Sequence, residues 1–447
     1  MQLQTSPYWE WILIDDGSTN PEIIDFLTGD FYQDPRIRVL FAKNNKNQGI
    51  SKTTNRGIKA ATGDYLVFLD HDDRLALNAI ALIHREIEQQ TFDILYSDRD
   101  MINLKDQRDF HLMKPAWSPE TLLSGNYIFH LMCYRTDFIK QIGLLKTEYD
   151  GSQDYDLILR ASEQNPKVKH IAQVLYHWRQ HEQSISKQEN AKDYTFKAGL
   201  AALNAALTRR HIKAIAQDHP KMPRGNYQVI PHFLTDPKIQ IIKIEAQNYR
   251  QQIEAVIDNK ADYILILAKN IQPQAMETIQ QMVAWMQFKD IALISAKLIN
   301  QQQILAYAGI CYTKEGGLLH SYQNHHQDQQ GYMGVTSITR NVSIANPFNV
   351  LIRGKVWRQL KGFNTRYNDS LSLLDFNFRA LEAGWRVLYQ PDCVFQYQPD
   401  VNQSDFYQIT PAFKQQWQSF FAQGDPYYNP NLCQDCNEMG LPESINN

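Results

Sequence analysis

The sequence has no long hydrophobic run. Its apolar stretches, such as residues 65–69 and 263–268, are far shorter than the roughly 18 residues of a membrane span. Cysteine is scarce. Five residues, at 133, 311, 393, 433 and 436, are too few and too scattered for a disulfide framework, so a reducing compartment is the default expectation. Cys433 and Cys436 make one CxxC pair, and without a second pair a four-ligand zinc site is not expected. Net positive charge is absent too: 45 basic and 48 acidic residues leave −3, a poor balance for a nucleic-acid binder. The opening Met-Gln-Leu-Gln-Thr-Ser-Pro has neither a basic nor an apolar region, so no signal peptide is expected.

What is present is an ordinary globular composition, 43% hydrophobic, 11% aromatic and 21% charged, which argues against wholesale disorder. At roughly 100–200 residues per domain, 447 residues predict two or three domains. Apolar strand candidates at 11–14, 37–41, 65–69 and 93–96 alternate with helical patterns at 51–61 and 76–90. This rhythm predicts an α/β fold with a mostly parallel sheet. Two strands run straight into acidic turns, Asp15-Asp16-Gly17-Ser18 and Asp70-His71-Asp72-Asp73. Ligands of open α/β sheets sit at such carboxyl ends. Prolines 220, 223, 231 and 237 mark a linker, and a second α/β pattern follows with strands at 239–244, 263–267, 291–295 and 387–389. The predicted division is 1–215, a linker at 216–238, 239–425, and an irregular tail at 426–447.

The second half partly repeats the first. Residues 64–72 align with 262–270, and 154–160 with 373–379. His177 follows Arg160 by 17 positions, as Gln396 follows Arg379. The apolar frame is kept while Asp70, Asp72, Asp154 and His177 become Ala268, Asn270, Leu373 and Gln396. Two related domains are expected, of which the first keeps the chemistry and the second only the fold.

Asp70 and Asp72 repel each other unless a cation lies between them, and a hard divalent ion with oxygen ligands resolves that conflict. A solvated turn explains the pair as well, since Asp is a common turn residue. Asp15 and Asp16 suit either hydrogen bonding to a ligand or a capping turn. Asp154 falls in the first turn of a helix, where the dipole favours a carboxylate; it is a candidate general base. His177 is a candidate metal ligand and Arg179 a phosphate partner. His320, His325 and His326 lack an accompanying acidic pattern and read as a polar loop.

Together these segments resemble family 2 glycosyltransferases of the GT-A fold. The stretches that carry the likeness are Trp9–Thr19, Asn47–Ile58, Gly63–Asp73, Tyr96–Asp100, Gly151–Arg160 and Tyr176–Arg179, over about residues 3–190. The last three look like the branch that builds bacterial O-antigen and other surface polysaccharides, often with rhamnose. The resemblance implies two tandem GT-A-like, Rossmann-like domains. It implies inverting transfer from a UDP- or dTDP-linked sugar to a saccharide or lipid-linked acceptor, with Mg²⁺ or Mn²⁺. Asp154 would be the catalytic base. Asp15, Asp16, Asn55, Asp70 and Arg179 would contact the donor, and Asp70, Asp72 and His177 would hold the metal. The implied location is the cytoplasm, peripheral to the inner membrane where lipid-linked acceptors lie. Members normally begin with a strand carrying Pro-x-Tyr-Asn, which this sequence is expected to lack. Its loss would expose a sheet edge and weaken donor binding. The second half follows the family's carboxy-terminal portion at 308–310, 351–353, 361–364 and 382–387 but departs wherever chemistry is expected. The alternative function is a non-catalytic nucleotide-sugar or saccharide-binding scaffold. A hydrolase with paired carboxylates fits the Asp-x-Asp turn less well.

Overall fold

The computed structural model describes residues 1–29, 34–42, 46–180, 193–233, 237–245, 248–367, 369–397 and 407–441. Part of the polar turn at 43–48 and the last six residues of the tail lie outside these. The chain forms two units. One is Met1–Lys114 with Asn126–Arg210, and the other is Pro115–Gly125 with His211–Asn447. Both are α/β, as the sequence predicts.

In the first unit β1 (Trp11–Asp15) and β2 (Ile37–Phe41) pair in parallel as a two-stranded sheet. Helix α1 (Pro21–Thr28) lies between them in sequence, its N-terminus capped by the Asn20 side chain with Pro21 in the first turn. Helix α2 (Ile50–Ala60) packs so closely on β1 that a Cβ on Gly57 would lie 2.5 Å from Ile14 Cδ1. A larger sheet follows, built from β3 (Tyr65–Val67), β4 (Arg74–Leu75), β5 (Ile94–Ile102), β6 (Arg108–Leu112), β7 (Met132–Arg135) and β8 (Val168–Arg179) in the order β3-β7-β5-β8-β4, with β6 on β5. Helix α3 (Ala79–Gln89) supplies Ala79, Ile80 and Ile83 to a core shared with Phe92, Leu95, Leu131, Cys133, Leu175 and Tyr176. Short α4 (Thr136–Gln141) precedes α5 (Gln153–Ser162), whose residues 155–161 are all buried.

The sheet is mixed, not mostly parallel. β5 and β8 are parallel, but β3–β7, β5–β7, β5–β6 and β4–β8 are antiparallel. A βαβ rhythm predicts parallel neighbours only where crossovers are long; β7 instead enters between β3 and β5 from a loop. β5 also runs beyond the predicted end at residue 96, to Ile102. Its polar residues hid this. Asp98 and Asp100 are fully buried and Arg99 nearly so.

The second unit has an eight-stranded sheet. Residues predicted as a linker form a hairpin of β9 (Ala214–Asp218) and β10 (Tyr227–Pro231), whose registered pairs satisfy backbone groups that a free linker would leave to water. Then come β11 (Ile239–Ile244), β12 (Tyr263–Ala268), β13 (Ile271–Pro273), β14 (Ile291–Ile299), β15 (Leu305–Tyr307), β16 (Ile310–Tyr312), β17 (Leu318–His320), β18 (Arg340–Val342), β19 (Asn349–Arg353) and β20 (Arg386–Tyr397). The main order is β11-β12-β19-β14-β20-β13. The excursion at residues 115–125 is tied to this unit by Glu120, which pairs with Arg386 at 2.8 Å and accepts from Asn341 at 2.7 Å. In the tail Tyr428, Leu432 and Met439 are buried. Cys433 and Cys436 are joined, while the other three cysteines are free and buried.

Strand registers make the internal repeat explicit. Tyr65 pairs with Arg135 as Tyr263 pairs with Arg353, and Arg74 with His177 as Gln272 with Gln396. Arg160 bonds Asp156 and the carbonyls of Ile142 and Leu144. Arg379 bonds Asp375 and the carbonyls of Leu360 and Gly362. One difference stands out: β12 is flanked by β11, whereas among the described residues β3 pairs only with β7.

Candidate active site

The acidic turn after β3 is built by β8. Arg179 donates its backbone N–H to Asp73 at 2.7 Å, Nε to the Asp72 carbonyl at 2.8 Å and Nη1 to Asp106 at 2.8 Å. The Tyr176 hydroxyl donates to Asp73 at 2.5 Å and accepts the Asp70 N–H at 3.2 Å. These bonds tie Arg179, predicted as a phosphate partner, to the acidic turn through its Nε and Nη1.

Asp70, Asp73 and His130 can each offer one atom, all within 4.8 Å of one another, and this is the one such group of His, Cys, Asp and Glu among the described residues. The predicted set of Asp70, Asp72 and His177 does not form. His177 is drawn to the next strand, where its Nδ1 lies 2.6 Å from Asp100 Oδ1. The parallel register sets Asp100 opposite His177, and a buried carboxylate attracts an imidazole more strongly than a half-exposed turn does. His130 is the histidine of the close group. It stacks on Tyr176 with ring centroids 4.7 Å apart, and its Nε2 lies 3.7 Å from Asp70. Burial, with the charges of Lys114 and Arg99, drives its pKa down to about 3, which leaves a neutral imidazole suited to ligation.

Asp70 sits at the rim with its side chain half exposed. Desolvation by its surroundings, then the charges of Asp73, Asp72 and Asp154, push its carboxyl up to about 6. The charge of Asp154, the base candidate, is thus felt at Asp70. Asp154 lies in the first turn of α5 and accepts from Asn126 Nδ2 at 2.9 Å. Burial raises its pKa against hydrogen bonds from Tyr155, its own backbone and Asn126.

A buried lysine shapes the floor. The Lys114 amine donates to the carbonyls of Ser97, Ile128 and His130 at 2.6, 2.8 and 2.5 Å, fixing the segment that carries His130. Burial lowers its pKa, while the three acceptors match the three donors of an ammonium. Asp98 receives the Lys114 N–H and lies 2.8 Å from His170 Nε2. Sequence reasoning missed Asp73, His130, Lys114 and Asn126. Asp73 was adjacent to the acidic motif, but the others carry no local signal.

The remaining predicted donor contacts serve loops. Asp15 accepts from the backbone N–H of Gly17 and Ser18, and Asp16 from those of Gln48 and Gly49 at 3.0 Å. Asn55 is used in both directions by the Leu145 backbone, at 2.8 and 3.0 Å, which ties α2 to the loop before α5. In the histidine loop the structure supplies acidic neighbours that the sequence did not show: His325 lies 3.5 Å from Glu438 and His326 3.4 Å from Asp328.

The registers map Asp70, Asp73 and His130 onto Ala268, Ile271 and Phe348, and Asp100 onto Ile299. The second unit has replaced the whole cluster with apolar side chains.

Residues 1–144 match the model of glycosyl transferase family 2. The chain is 25% identical over 496 aligned positions to the O-antigen biosynthesis protein RfbC of Myxococcus xanthus, covering 97% of this chain and 38% of that protein. It is 26% identical to the uncharacterized protein y4gI of Sinorhizobium fredii, covering 99% of this chain and 56% of that one. The chain thus spans about half or less of these two relatives. The amylovoran biosynthesis glycosyltransferase AmsB of Erwinia amylovora is 28% identical over 47% of this chain and 72% of its own length. Among solved structures, S. aureus TarS 1-349 with UDP-GlcNAc aligns with a TM-score of 0.37 at 17% identity, over 46% of this chain and 60% of that one. No described helix is long and apolar enough to cross a membrane.

Proposed function

We propose that the first unit transfers a sugar, with inversion, from a UDP- or dTDP-linked donor to a saccharide or lipid-linked acceptor in bacterial surface-polysaccharide synthesis, at the cytoplasmic face of the inner membrane. The observation that carries this reading is the placement of Asp154: a half-buried carboxylate with raised pKa, braced by Asn126 and close enough to Asp70 for its charge to be felt there. A raised pKa makes a carboxylate a stronger base. Asp154 accepts the proton of the acceptor hydroxyl as its oxygen bonds the anomeric carbon; the bond from that carbon to the diphosphate oxygen breaks, and the electron pair leaves with the diphosphate.

The crowding of Asp70 and Asp73 beside a neutral His130 fits a divalent cation, Mg²⁺ or Mn²⁺, with mixed oxygen and nitrogen ligands. When bound there it would offset negative charge on the diphosphate. Asp16 retains acceptor capacity for a nucleoside hydroxyl, since a carboxylate has about four acceptor sites. Turnover of UDP- and dTDP-sugars is measured with and without Mn²⁺, and again with Asp154→Asn. Metal-dependent turnover that falls by about 10²–10⁴-fold in the variant is expected. Equal turnover in the variant discards the base.

One observation favours a second reading, a non-catalytic scaffold that does not use the nucleotide site: among the described residues the β1–β2 pair makes no ladder to β3. Calorimetry with UDP and dTDP separates the two. No metal-dependent binding of either supports the scaffold.

A further inference from the structure

Asp70, Asp73 and His130 all touch one side chain, Tyr176. Its hydroxyl donates to Asp73 Oδ2 at 2.5 Å and accepts the Asp70 N–H at 3.2 Å. Its ring stacks on the His130 imidazole, with centroids 4.7 Å apart and planes 15° from parallel. Tyr176 is fully buried, so close packing leaves the hydroxyl little freedom to turn away. The other Asp73 oxygen accepts the Arg179 N–H at 2.7 Å. A carboxylate has about four acceptor sites, so these two bonds leave Asp73 capacity for a further partner.

The internal repeat supplies a comparison. Leu75 pairs with Tyr176 as Pro273 pairs with Phe395, so Phe395 stands where Tyr176 does, and it too is fully buried. Both units keep the ring. The hydroxyl is missing where Asp70, Asp73 and His130 have become Ala268, Ile271 and Phe348. Backbone pairing changes with it. In the second unit the Ala268 N–H donates to the Phe348 carbonyl at 2.9 Å, and β12 runs on to Ala268. In the first unit the matching carbonyl, that of His130, accepts from the Lys114 amine instead. There the Asp70 N–H turns to the hydroxyl, and β3 ends at Val67. Core packing uses the ring, whereas both partners of the hydroxyl belong to the acidic turn.

We propose that Tyr176 is a positioning residue for this group: its hydroxyl sets Asp70 and Asp73 side by side, and its ring fixes the plane of the His130 imidazole. The proposal rests on the divalent-cation reading of the group. Carboxylates this close repel each other. A charge-assisted bond to one and a backbone anchor for the other offset that repulsion in advance, which leaves less ordering to be done when a cation binds.

The test uses the full chain with Tyr176→Phe, a change that keeps the ring as Phe395 does. Tyr65→Phe is the control. It removes a hydroxyl of the same sheet, one that donates to the Phe92 carbonyl at 3.3 Å. Hydrogen–deuterium exchange of the metal-free protein follows residues 68–74, and water-proton relaxation follows Mn²⁺ affinity. In Tyr176→Phe the segment should exchange about three- to tenfold faster, and Mn²⁺ should bind about tenfold more weakly. Tyr65→Phe should match the parent in both. Unchanged exchange or unchanged Mn²⁺ affinity in Tyr176→Phe overturns the proposal and leaves the cation reading standing. Equal losses in Tyr65→Phe overturn it as well, since the effect is then one of general stability. A parent that binds no Mn²⁺ overturns the cation reading and the proposal together.

Discussion

His177 Nδ1 and Asp100 Oδ1 lie 2.6 Å apart on neighbouring parallel strands, and Arg108 bonds the same carboxylate from β6. Burial pushes the Asp100 carboxyl up, but the hydrogen bonds from His177 and Arg108 outweigh it and hold the pKa below its ordinary value. Asp100→Asn leaves an imidazole and a guanidinium without their anion. A loss of about 2–4 kcal/mol in urea unfolding is expected. A loss within the ~0.5 kcal/mol typical of an exposed pair would show that the cluster contributes little.

Asp73 and His130, not Asp72 and His177, stand with Asp70. Mn²⁺ titrations followed by water-proton relaxation therefore distinguish the two sets. Asp73→Asn and His130→Ala should weaken binding by about tenfold or more, and Asp72→Asn by far less. Circular dichroism checks that the variants keep their fold. The reverse order of effects would restore the set read from the sequence.

Glu120 lies in the first half of the sequence but is buried against Arg386 and Asn341. Removing one partner of a buried pair strands the other charge. Glu120→Ala should destabilise the second unit by about 3–5 kcal/mol, while the near-ultraviolet signal of the first unit melts as in the parent. An unchanged second transition would disprove the excursion at 115–125.

Asp425 accepts from Ser343 Oγ at 2.7 Å and from the backbone of Tyr427 and Tyr312 at 2.8 and 3.1 Å. Burial nevertheless raises its carboxyl from 3.8 to about 6. The folded state thus binds the proton more tightly than the unfolded chain. Stability from this group is full below the unfolded value and is lost as pH rises through about 6, by on the order of 3 kcal/mol. Calorimetry between pH 4 and pH 7 should show a flatter profile for Asp425→Asn than for the parent. Parallel profiles would count against the raised pKa.

The two-unit plan was legible because burial imposes a periodic apolar pattern, and both copies keep it. The Asp156–Arg160 and Asp375–Arg379 braces appear in the sequence as the same spacing, and the structure gives them the same carbonyl partners. Asp154 was legible too, since a carboxylate in the first turn of a helix is a local feature. The Asn55 bond to the Leu145 backbone was not legible, because side-chain type does not reveal a partner 90 positions away. The β5 strand was cut short because three charged residues in a row signal solvent. Here each finds a partner inside: Asp98 with His170, Asp100 with His177 and Arg108, and Arg99 stacked over Trp178 at 4.7 Å.

By itself the sequence determined the α/β class, the duplication, the acidic turn and the uncharged residues at the matching positions of the second copy, all of which depend on residue type and spacing along the chain. Tertiary structure alone decided which imidazole meets the carboxylates. His130 and His177 are equally good ligands as residues. Strand register placed one beside Asp100 and the Lys114 amine fixed the other above Asp70, and a charge in a poorly screened interior goes to the nearest partner in space.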